Sequence, residues 1–120
     1  MIYSRQYSRH LIVLKNVDSS KACGRCIIEI KNSKAKLILN TYIAADNKNM
    51  DIYLVADNNS HTGYKIGHFG SNAIEFDPDD IEGNKIENIC AVAVVREGKN
   101  IPVTVGYTNE YVDLGKGITI

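Results

Sequence analysis

A chain of 120 residues with 44% apolar and 23% charged side chains has the size and balance of one globular domain with a real core. Fourteen basic and fourteen acidic residues cancel, which removes the global electrostatic footprint expected of a nucleic-acid or anionic-membrane binder. No apolar run approaches the ~20 residues of a membrane helix, and Leu11–Leu14 is too short for a signal-peptide core, so the chain is expected to be made in the cytoplasm without a leader and not to insert into a membrane.

Short alternating apolar runs recur every dozen or so residues, with turn formers between them. After a polar, tyrosine-bearing segment 1–9, His10–Leu14 begins the first strand and Asn16–Lys21 turns the chain. Gly24–Lys31 and Ala35–Ile43 straddle the polar connection 32–34, the pattern of a β-hairpin. Asp51–Ala56 follows the polar loop 45–50, and 57–61 is a turn dense in Asn and Ser. Thr62–Gly70 alternates around glycines at 63, 67 and 70, which points to bulges or close backbone approach. Asn72–Phe76 is a short strand ended by Asp77-Pro78, and 79–88 has room for a single helical turn. Ile89–Val95 is nearly continuous apolar sequence, the mark of a central strand covered on both faces. Ile101–Tyr107 directs Ile101, Val103, Val105 and Tyr107 inward, and Pro102 demands an edge or the start of that strand. The tail ends in Gly117-Ile118-Thr119-Ile120, whose two alternating isoleucines want a partner strand.

No stretch of useful length repeats its apolar residues at helical spacing. The fold class is therefore all-β: an antiparallel sandwich, jelly-roll-like, or a flattened barrel of about eight strands. Residues 1–120 form one domain, whose terminal segments 1–9 and 110–120 pair either within the fold or with neighbours. Ile28, Ile30, Leu37, Leu39, Ile52, Leu54, Ile74, Phe76, Val92, Val94, Val103 and Val105 should lead the core. Residues 1–60 carry nine Lys/Arg against five Asp/Glu and residues 61–120 five against nine. A fold that interleaves the halves erases that dipole, whereas one that separates them favours head-to-tail contact.

Three cysteines cannot close an intramolecular disulfide framework. Cys26 shares its alternation with Ile28 and Ile30, and Cys90 with Val92 and Val94, so both read as buried thiols. Cys23 sits before its strand and is the candidate for an intermolecular disulfide. Cys23-Gly24-Arg25-Cys26 has thioredoxin spacing, but it leads into a strand rather than a helix, and the helix dipole that lowers a redox thiol's pKa is missing. His10, His61 and His68 lack paired spacing for zinc. Asp77, Asp79, Asp80 and Glu82 are weak calcium candidates without EF-hand spacing, against a plain solvated loop. No nucleophile elbow, Gly-rich phosphate loop or cofactor motif is present. Seven tyrosines include Tyr42 and Tyr53 as candidates for a sugar-stacking platform, with ordinary sheet packing as the alternative.

Three segments carry a resemblance. Arg5-Gln6-Tyr7-Ser8-Arg9-His10-Leu11-Ile12-Val13-Leu14 opens the chain, and Gly24-Arg25-Cys26-Ile27-Ile28-Glu29-Ile30-Lys31-Asn32 follows. Ile86-Glu87-Asn88-Ile89-Cys90-Ala91-Val92-Ala93-Val94-Val95 and Val105-Gly106-Tyr107 stand late. Together, over about residues 5–108, they resemble a small, mostly uncharacterised β domain of clostridia and other spore-forming Firmicutes. The resemblance implies a leaderless protein of a spore former, located on the spore surface, and it carries over no catalytic residue. The chain is thus expected to be a non-catalytic structural or interaction module that associates with itself, as a homo-oligomer or fibre, through strand edges or termini. The alternative is a module that binds a glycan or other ligand through exposed tyrosines and the acidic loop.

Overall fold

The computed structural model describes residues 7–17, 21–31, 34–41, 49–70, 73–77 and 88–120. Alternation of apolar and polar side chains gives eight strands: β1 (Tyr7–Asn16), β2 (Ala22–Lys31), β3 (Lys34–Thr41), β4 (Met50–Ala56), β5 (Gly63–His68), β6 (Ala73–Phe76), β7 (Ile89–Arg96) and β8 (Pro102–Tyr107). All pair antiparallel in one sheet of order β5-β4-β7-β8-β1-β2-β3-β6. The first and last strands of that order meet: a β-carbon at Gly67 on β5 would lie 3.0 Å from Ile74 Cγ2 on β6. The sheet therefore curls into a nearly closed, flattened barrel, and no α-helix occurs among the described residues. The helical turn expected within 79–88 falls outside the described residues except for Asn88.

Two apolar layers form on opposite faces of this sheet. The inner layer fills the barrel with Ile12, Leu14, Cys26, Ile28, Leu37, Ile52, Leu54, Val92 and Val94, all essentially inaccessible to water. Ile30, Phe76 and Val103 are half-buried at its rim. The outer layer lies on β4, β7 and β8, where Tyr53, Val55, Ala91, Ala93, Val95 and Val105 are roofed by Leu114 and Ile118 of the C-terminal tail. Small side chains at 91 and 93 let that tail come close. This roof explains why β4 and β7 are buried on both faces.

The tail's isoleucines find their partner within the fold. Ile118 N–H donates to Asn100 O (2.8 Å), Gly63 N–H donates to Thr119 O (2.7 Å), and Thr119 N–H donates to His61 O (3.0 Å). Thr119 thereby forms a parallel bridge with Thr62.

Bulges correct several facings expected from strict alternation. Val94 pairs with Thr104 but Val95 with Pro102, so Val103 is an extra residue. Val103 then packs on the inner layer while Val105 joins the outer one. Ile101, expected inside, is 54% exposed, and Thr104 is fully buried in its place. The Thr104 hydroxyl is satisfied by donating to Asn16 Oδ1 at 3.2 Å. A shift between Val55 and Ala56 likewise places Cys90 in the outer layer rather than beside Val92 and Val94. Pro102 is the first residue of its strand, as its missing N–H requires.

Candidate interaction surface

The outward residues of β1, β2, β3 and β6 line up in rows because the registers are regular there. Arg9 pairs with Glu29, Glu29 with Lys36, and Lys36 with Glu75. One step along the strands, Leu11 pairs with Ile27, Ile27 with Ile38, and Ile38 with Ala73. The next row is Val13, Arg25 and Asn40. An apolar row thus crosses four strands with charges on both sides. Leu11 is 62% exposed and Val13 51% exposed, and Ile27 and Ile38 are half-buried. A shallow groove of about 550 Å³ runs over Arg9, Leu11, Arg25, Ile27, Ile38 and Asn40. Unlike the β4–β7–β8 wall, this one has no roof among the described residues.

A second groove, of about 520 Å³, opens where β1 and β8 part. The two strands pair only at Lys15 with Val105 and Asn16 with Thr104. Leu11, Val13, Tyr107 and Tyr111 line it, and the tyrosine rings meet edge to face at 5.3 Å and 62°. Burial leads the rise of the Tyr107 phenol's pKa, with the neighbouring Tyr111 and Asp113 adding to it.

The other sequence candidates do not converge. Tyr53 is a correction: it is 6% exposed, beneath the tail, and offers no stacking face. Tyr42 lies outside the described residues, as do Asp79, Asp80 and Glu82; Asp77 is exposed just after β6. Cys23 stands within β2 rather than in the turn before it. A shift after Leu14 makes it the extra residue of a bulge, and its half-buried thiol donates to Leu14 O at 3.6 Å. That orientation weakens its fit to a cross-link between molecules. Burial pushes the Cys26 thiol to about 12, and burial, then the charge of Asp57, raises that of Cys90.

Sequence reasoning missed one cluster. Asp51 is buried on the outward side of β4, with its Oδ1 at 2.6 Å from His68 Nδ1 and its Oδ2 at 3.5 Å from Lys65 Nζ. The residues lie 17 and 14 positions apart, so only the β4–β5 register brings them together. A bulge after Ile52 turns His68 to this side, away from the face of Tyr64 and Ile66. The cluster pins the outer strand β5 and satisfies a carboxylate that would otherwise be costly to bury. Among the described residues no three His, Cys, Asp or Glu side chains are placed to hold a metal ion. No protein-family model, curated protein or solved structure matches this chain.

Proposed function

We propose that this protein is a non-catalytic interaction module that associates with itself, as a structural component at the spore surface. The observation that carries the self-association is the apolar row on β1, β2 and β3, which has no roof among the described residues. Burying exposed Leu and Val side chains is favourable by about 25 cal/mol per Å² of apolar area removed from water, and a contiguous patch of this kind marks a contact surface. Ile118 and Thr119 of the C-terminal tail pair inside the fold, so the sheet face takes the role that a tail pairing with neighbours would have had. The spore-surface location rests on the resemblance of the strand segments alone.

Sedimentation velocity of the full chain, from micromolar to near-millimolar concentration, tests the reading. A sedimentation coefficient that climbs with concentration is the expected result, and a monomer throughout would overturn it. The ligand-binding alternative retains Tyr111, 75% exposed, beside the groove at β1 and β8. A glycan array that responds to a protein sedimenting only as monomer would put that reading first.

A further inference from the structure

We infer that two copies of this chain pack face to face through β1, β2, β3 and β6, related by a two-fold axis parallel to the strands between β2 and β3. The inference rests on the self-association proposed above and assigns its geometry. Its basis is the order of charges in one row. Across the sheet, Arg9, Glu29, Lys36 and Glu75 read plus, minus, plus, minus. Rotation about that axis keeps position along the strands and reverses position across them. Arg9 then meets Glu75 of the second copy, and Glu29 meets its Lys36. All four positions face an opposite charge. An axis running along the row instead would set every residue against its own like, so the charge order selects one symmetry of the two.

The apolar row obeys the same operation. Ile27 meets Ile38, and Leu11 meets the small Ala73, which leaves room for the longer side chain. Arg25 meets Asn40 on the row beyond. At the opposite rim the axis brings Lys31 toward Lys34, both exposed; their flexible stems let the ammonium groups turn out to water. The contact is isologous, as a two-fold requires, and the strands of the two sheets stay aligned to within about 30° at a separation of about 10 Å. Four strands about 4.8 Å apart and four rows about 7 Å apart cover roughly 500 Å² on each copy. The pair therefore falls in the class of weak, reversible dimers rather than obligate ones.

Charge reversal with rescue, read by sedimentation on the full chain, tests the arrangement. Glu29→Lys places like charges opposite each other twice per dimer and should weaken association about tenfold or more. The double variant Glu29→Lys with Lys36→Glu restores opposite charges across the interface and should recover the wild-type constant within a few-fold. Far-ultraviolet circular dichroism confirms that each variant is folded. Arg9→Glu with and without Glu75→Arg repeats the cycle on the outer pair. Association unchanged by the single reversals, or unrecovered in both double variants, overturns this face and axis while leaving self-association standing. A wild-type protein that stays monomeric overturns both.

Discussion

Gly106 of β8 stands where β1 crowds closely against it. A β-carbon there would lie 2.5 Å from Ile12 Cγ2 and 2.8 Å from both Leu14 Cδ2 and Val13 O. The side chains can shift, but the backbone oxygen belongs to a paired strand and yields little. Gly106→Ala should therefore cost about 2–3 kcal/mol through overpacking, read as a lower urea midpoint at unchanged slope; an unaltered midpoint would deny the close approach. Cys26 makes a different case, because its effect depends on pH. Its thiol titrates near 12 in the fold against an ordinary 9.0 in the unfolded chain. Between those values the unfolded chain has released a proton that the folded chain still holds. Stability is untouched below pH 9 and falls as pH rises through the window, by up to about 1.4 kcal/mol per pH unit. Urea melts across that range should show a shallower decline for Cys26→Ala than for the wild type, whatever the substitution does to the baseline.

Among the elements, the C-terminal tail takes one of the two courses open to it in the sequence, pairing within the fold rather than with a neighbour. Two alternating isoleucines suggested a strand in search of a partner, and the partner is the chain's own loop at 60–63. Ile118 is buried against Tyr53 and Val55, while Ile120 remains exposed. Ile118→Ala should lower stability by about 2–4 kcal/mol, the usual cost of emptying a core isoleucine site, as measured by thermal or urea unfolding. Self-association should survive that change under conditions where the variant is folded, since the tail roofs a different wall from the one carrying Leu11 and Val13. The strands themselves were legible where alternation was clean. β2 and β3 start and stop close to the expected positions because one face meets the core and the other does not. Facing failed at bulges: Cys90 is itself an extra residue, and Ile101 and Val105 flank the extra residue Val103, whose presence only the partner strand reveals.

For the molecule as a whole, strand order settles how charge is distributed. β4 sits between β5 and β7, strands of the second half of the chain, so the two halves interleave in part. β1, β2 and β3 nevertheless remain neighbours, and their outer wall keeps its cationic residues around an apolar row. The proposed self-association through that wall belongs to this scale, because it depends on three registers holding together at once. A slip of one residue in any of them would turn that strand's outward residues into the barrel.

The sequence by itself determined that the fold is all-β, that β7 is covered on both faces, and that Cys26 is buried. Those conclusions need only the two-residue period of a strand and the gain from removing apolar surface from water. Tertiary structure alone decided that the tail closes one wall, that Asp51 meets His68 and Lys65, and that Arg9, Glu29, Lys36 and Glu75 form an alternating row. Each of those depends on which strand lies beside which and in what register, and pairing between distant segments leaves no local mark on the chain.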